Sequence, residues 1–162
     1  VYAYGRIAAF IPYTSPMKNA RFPEGVSEIV ANQTQLKLAI ANPELAPYGR
    51  AAREAMQHAG IWDKVRKHLI YGENISQAGQ FALSGSALGG IIAHSLALTP
   101  QFSEKGSYQL ISADWHQPLA QRMVLLKGAD NPTRLFYDFI LSKRGQEILR
   151  RNGYSIGAGG DS

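Results

Sequence analysis

The sequence predicts an α/β fold, a mainly parallel sheet with helices on both faces. Three observations lead there. Short apolar runs of strand length alternate with helical stretches along most of the 162 residues, as parallel strands joined by crossover helices require. The run from Leu36 to Ile40 carries few polar residues, as does a strand covered on both faces. Two strand ends pass through short loops into helix starts, at Ala41–Gly49 and at Tyr71–Gln77.

The elements follow in order. Arg6 to Ile11 reads as a buried strand, and Pro12 to Pro23, with three prolines, as a loop. Glu24 to Ala31 is a short helix. Tyr48 to Ala59 is a helix whose Ala51, Ala52, Ala55, Met56 and Ala59 share one face, and Gly60 ends it. Ile61 to His68 is a shorter helical piece, and Leu69 to Tyr71 a brief strand. Ile75 to Leu83 is a helix capped by Asn74, with Gln77 at capping-box spacing and Asn in place of Ser or Thr. Gly89 to Ala93 is a strand and Ser95 to Leu98 a helical turn. Tyr108 to Ser112 and Arg122 to Leu126 are further strands. Pro132 to Leu141 and Gly145 to Arg151 form a helix pair, with Pro132 suited to a first turn. Gly153 to Ser162 is a polar, glycine-rich tail.

Composition narrows the function. With 45% hydrophobic residues, 16 Gly and 8 Pro, the chain is a foldable globular one. No run approaches the roughly 18 apolar residues of a membrane span. The absence of cysteine excludes disulfides, thiolate metal sites and a Cys nucleophile. A net charge of +5 and a pI near 9.6 fit a solvated basic surface that attracts anions. Nucleic acid is not an expected partner, because the basic residues are spread out and no recognition motif accompanies them. Val1 to Arg6 has none of the parts of a signal peptide. The chain opens without Met, almost at a strand, and reads as a mature or truncated piece of something longer.

The two strand–loop–helix junctions carry the chemistry. Ligands in open α/β sheets bind beyond the carboxyl ends of strands. An exposed helix N-terminus offers free N–H groups and the positive end of the helix dipole, which suits an anion. The first junction presents the N–H groups of Tyr48 and Gly49; the second spans Tyr71 to Gln77. Together they point to a clamp on a small oxyanion. Each also has a purely structural reading, since proline-rich loops and Asn caps are common helix starts.

Competing chemistries are weaker. Gly153-Tyr154-Ser155-Ile156-Gly157 fits the G-x-S-x-G pattern, but it follows a helix and has no downstream His in triad order. His58, His68, His94 and His116 lack metal-ligand spacing. The reading therefore holds no catalytic residue, no cation site and no cofactor. The charge of Glu73 would oppose an anion, so its side chain should point away from the second loop.

Ala41-Asn42-Pro43 followed by Ala46-Pro47-Tyr48-Gly49 resembles the signature of the periplasmic molybdate-binding proteins, soluble receptors of molybdate ABC transporters. Gly60-Ile61-Trp62-Asp63-Lys64-Val65, Tyr71-Gly72-Glu73-Asn74-Ile75-Ser76-Gln77-Ala78, and Phe136-Tyr137-Asp138-Phe139 through Gly153-Tyr154 agree with that family in order. The resemblance implies a type II periplasmic-binding-protein fold with two α/β lobes, the first incomplete here. It places the second lobe at about Gly5 to Ala113, a return segment completing the first lobe at about Gln121 to Tyr154, and a tail at 155–162. A lobe without its partner strands would expose apolar surface.

The resemblance also implies the ligand and the site. Molybdate or tungstate would accept from the backbone N–H groups of Tyr48 and Ile75, supported by Pro47, Gly49, Asn74 and Ser76. Donors from the missing part of the first lobe would face them. One branch of the family adds a Tyr hydroxyl where this chain has Ala93, so the geometry around the anion would differ here. The implied partner is an ABC permease and the implied compartment the periplasm. Receptors for sulfate or phosphate, the sensing domain of a regulator, and a hydrolase using Ser155 are the competing readings.

Overall fold

The computed structural model describes residues 1–32, 35 and 37–157. Its centre is a five-stranded sheet made from β2 (Ile7–Pro12), β3 (Leu38–Ala41), β4 (Leu69–Gly72), β5 (Gly90–Ala93) and β6 (Gly106–Leu110), in the order β4-β3-β5-β2-β6. All residues of β2, β3 and β5 are buried. Successive side chains of a strand point to opposite faces, and the core divides accordingly. Ile7, Ala9, Ile11, Leu38, Ile40 and Ile91 pack into the larger cluster. Phe10, Ala39 and Ile92 pack into the smaller one.

Helices cover both faces. α1 (Glu24–Ala31), α2 (Pro47–His58) and α3 (Trp62–Val65) supply Val26, Val30, Ala51, Ala52, Ala55, Met56 and Val65 to the larger cluster. α4 (Ile75–Leu83), α5 (His94–Ala97) and α6 (Pro100–Ser103) supply Ala82, Ala97 and Phe102 to the smaller. There the Phe10 and Phe102 rings meet edge to face, with centroids 5.2 Å apart, a favoured aromatic geometry.

The sheet is mixed rather than mainly parallel. β3 pairs parallel with β4 and with β5, whereas β2 runs antiparallel to both β5 and β6. The parallel half comes from β3-α2-β4 and β4-α4-β5, where a full helix returns the chain to the same sheet end. β5 and β6 are linked only by the four-residue helices α5 and α6, and β2 inserts between them.

Two three-residue strands form a separate ribbon. β1 (Ala3–Gly5) runs antiparallel to β7 (Leu119–Gln121), and Tyr4 bridges Ser155 on its other edge. Arg122 to Leu126 is not the strand the sequence predicts. The pairing with β1 ends at Gln121, and Val124 and Leu126 stand exposed at 79% and 73%. α7 (Asn131–Leu141) and α8 (Lys143–Arg151) follow. α7 buries no residue, and Leu135 and Phe136 lie on an exposed apolar face. Leu36 and the tail beyond Gly157 lie outside the described residues.

Candidate functional site

β3 and β4 are adjacent and parallel, with Ala41 in register with Gly72. The loops that leave them therefore emerge side by side. The Asn42 N–H donates to the Gly72 carbonyl at 2.7 Å and ties one loop to the other. Beneath them Ala41, Ala46 and Ala78 form a small buried cluster with Ile75 packed against it. The starts of α2 and α4 thus share one floor.

Asn42 organises the first loop. Its side-chain oxygen accepts from the Glu44 N–H at 2.9 Å, and its carbonyl accepts from the N–H groups of Leu45 and Ala46. Glu44 is held outward by Arg53 of α2 at 2.7 Å. Pro47 is the first residue of α2 and brings no N–H, while Ala46 at the cap has no side-chain acceptor. The Gly49 N–H turns back to the Ala46 carbonyl at 3.0 Å. Among the described residues the Tyr48 N–H donates to no protein acceptor.

The second loop is capped differently. Asn74 accepts from the Gln77 N–H at 2.9 Å, and the Gln77 side chain accepts from the Glu73 N–H at 2.6 Å. This is a variant of the capping box, in which the Gln77 side chain reaches the residue before the cap rather than the N–H of Asn74 itself. The N–H groups of Ile75 and Ser76 have no protein acceptor among the described residues. Glu73 is exposed. One wall thus carries three unoccupied donors at two helix starts, the arrangement that stabilises an anion.

Two glycines permit this wall. A Cβ on Gly49 would lie 2.2 Å from the Ala41 carbonyl oxygen, and one on Gly72 would lie 2.5 Å from the Ala78 nitrogen. Both helices start in near contact with strand backbone. Asn42 and Gly72 were not among the site residues the sequence singles out. Asn42 stands in the quoted motif, but its role as the link between loops depends on strand order.

The Tyr48 side chain turns away from the loop toward the ribbon. It is half-buried against the larger core cluster. Burial, with the neighbouring Tyr154 and Tyr2 phenols, pushes its pKa up to about 12. It stays a neutral phenol at physiological pH.

The residues of the competing chemistries have other roles. Ser155 is 3% exposed, pairs with Tyr4, and donates its hydroxyl to the Gly157 carbonyl at 2.9 Å. It is a buried residue in an isolated β-bridge rather than a nucleophile on a sharp turn between strand and helix. His58 stacks on Trp115 at 5.1 Å, and His94 packs on Tyr108 at 5.1 Å. His116 Nδ1 lies 2.8 Å from the Gln117 carbonyl. Among the described residues no cluster of His, Asp and Glu could hold a metal ion. No helix among them is long and apolar enough to cross a membrane.

A profile of the bacterial extracellular solute-binding protein family matches residues 1–155, and the chain belongs to that family. The family is one of binding proteins, not of enzymes. The chain is 40% identical over 119 residues to the molybdate-binding protein ModA of Rhodobacter capsulatus, covering 72% of this chain and 46% of that one. It is 33% identical over 121 residues to ModA of Azotobacter vinelandii, covering 74% and 48%. A putative ABC transporter substrate-binding lipoprotein of Bacillus subtilis is 22% identical over 121 residues, covering 74% and 46%. The chain spans about half the length of these relatives. The solved periplasmic molybdate-binding protein of Azotobacter vinelandii superposes with a TM-score of 0.75 at 22% identity, covering 96% of this chain and 67% of that one. That likeness establishes the type II periplasmic-binding-protein fold.

Proposed function

We propose that the paired loops bind a tetrahedral oxyanion, molybdate or tungstate, through the backbone N–H groups of Tyr48 and Ile75. Ser76 adds a third donor at the same wall, Asn74 holds the turn, and Pro47 and Gly49 fix the approach of α2. The observation that carries this reading is the juxtaposition of two helix starts whose leading N–H groups lack protein acceptors. Relatives at 40% and 33% identity that are molybdate-binding proteins support the choice of ion.

The chemistry is consistent with that choice. Molybdate is a dianion with acceptor oxygens only. Neutral N–H donors match it, and each helix start adds about half a positive charge. Hydrogen bonds to a charged acceptor are the strong kind. An ion that must donate a proton, such as protonated phosphate, would leave a polar group unmatched at about 1–3 kcal/mol.

In the whole receptor, residues 5–113 would form one lobe, 121–154 would return to the other, and the β1–β7 ribbon would act as the hinge. The receptor would work in the periplasm and hand its ion to an ABC permease. Amide NMR of the chain titrated with millimolar molybdate tests the site. The Tyr48, Ile75 and Ser76 resonances should shift first, with tungstate acting alike and sulfate or phosphate more weakly. Tyr48→Phe should bind nearly as wild type. Tyr48→Pro, which removes the donor, should lose about 1.5–3 kcal/mol, or roughly ten- to a hundredfold. Shifts elsewhere, with these three amides unmoved, would refute the assignment.

A further inference from the structure

The anion loop and the ribbon meet at one contact. Gly5 is the buried last residue of β1. A Cβ built on it would lie 2.3 Å from the Tyr48 hydroxyl oxygen, 2.9 Å from Tyr48 Cζ and 3.3 Å from Leu119 Cβ. The phenol therefore rests on bare ribbon backbone, and a methyl group at Gly5 would displace it. The ring is half-buried, with one side packed against the larger core cluster. Gly5 is itself held in place by its pairing with Leu119, and the Tyr4–Ser155 bridge flanks it. Tyr48 thus carries the unoccupied N–H at one end and a wedge against the ribbon at the other.

We propose that Tyr48 is a positioning residue: its aromatic ring, seated on Gly5, aims its own backbone N–H at the anion and couples occupancy of the loop to movement of the ribbon. This rests on the oxyanion reading above. Close-packed contacts transmit displacement because they cannot absorb it. A ribbon shift that moves the phenol must turn the first residues of α2, and an anion that fixes the Tyr48 N–H must favour one ribbon position. A ligand shifts such an equilibrium by its difference in affinity for the two positions.

The test uses Gly5→Ala, Tyr48→Leu and the double variant in the full chain, with amide spectra, molybdate titration and melting temperature. Without ligand, Gly5→Ala should displace the Tyr48 and Gly49 amides. Gly5→Ala and Tyr48→Leu should each weaken molybdate binding about tenfold at temperatures where the protein is fully folded, a change of one order in the dissociation constant. The double variant should bind like Tyr48→Leu alone, because the methyl at Gly5 then meets no phenol. A merely structural contact would lower the melting temperature and leave the dissociation constant of the folded protein unchanged. That result, or additive losses in the double variant, overturns the coupling. If Gly5→Ala fails to fold, Tyr48→Leu decides alone: wild-type affinity overturns the proposal and a tenfold loss with a displaced Gly5 amide supports it. A wild-type spectrum unmoved by molybdate would sink the oxyanion reading instead. The ligand-free amide displacement would still decide whether phenol and N–H are coupled.

Discussion

The backbone N–H of Asn42 donates to the carbonyl of Gly72 at 2.7 Å, one residue beyond the last parallel pair of β3 and β4. The bond extends the ladder out of the sheet and into the two loops. It makes the starts of α2 and α4 one surface, and its neighbours yield distinct expectations.

Asn74 caps α4 through the Gln77 N–H. Asn74→Ala should cost about 1 kcal/mol of stability, the usual value of a lost cap, and should loosen the Ile75 and Ser76 donors. Denaturant unfolding and amide exchange measure the two effects. Unchanged exchange at Ser76 would mean the cap does not order the donors.

Gly49 lies against the Ala41 carbonyl with no space for a methyl group. Gly49→Ala should destabilise by about 1–3 kcal/mol, as overpacking does. It should also displace the Tyr48 N–H and so weaken molybdate binding beyond what the stability loss explains. Wild-type affinity in the folded variant would show that the α2 start can shift without harm.

Ser155→Ala removes a buried donor to the Gly157 carbonyl. A loss of about 1 kcal/mol is expected, with no change in molybdate affinity and no hydrolytic activity in either protein. A hydrolysis rate that vanishes in the variant would contradict the structural role of Ser155.

His94 has its pKa lowered from 6.5, first by burial and also by the charge of Arg6, against a hydrogen bond that its ring donates to the Gly153 backbone carbonyl. The folded state therefore binds this proton less readily than the unfolded state. The stability His94 contributes is present above pH 6.5 and is lost as pH falls below it. His94→Gln should flatten that loss. Unfolding curves of both proteins, taken from neutrality down through this range, should converge toward acid; parallel curves would exclude His94 as the cause.

Much of the fold was legible because local signals agreed. Asn74 and Gln77 place the start of α4, and the structure puts it at Ile75–Leu83 as read. The alanine face and Pro47 place α2 within one residue. The reading faltered where an element depends on its partner. Val124 and Leu126 give Arg122 to Leu126 a strand-like pattern, but a strand needs a neighbour and β1 pairs no further than Gln121. The three-residue strands β1 and β7 are too short to show periodicity. The direction of β2 could not be read either, since alternation along a strand says nothing of which way its neighbour runs.

The sequence by itself determined where the two helix starts fall and that the Tyr48 N–H is open, because proline, a capping Asn and a helix start act within a few residues of one another; the Gly49 N–H, also expected to be open, is taken by the Ala46 carbonyl. It also determined that β3 is covered on both faces, through its run of apolar residues. Only the tertiary structure decided that the loops stand side by side, since that follows from the pairing of β3 with β4. Only it decided that the Tyr48 phenol lies on Gly5. Contacts between residues far apart in the chain depend on how elements pack, and local sequence carries no record of that.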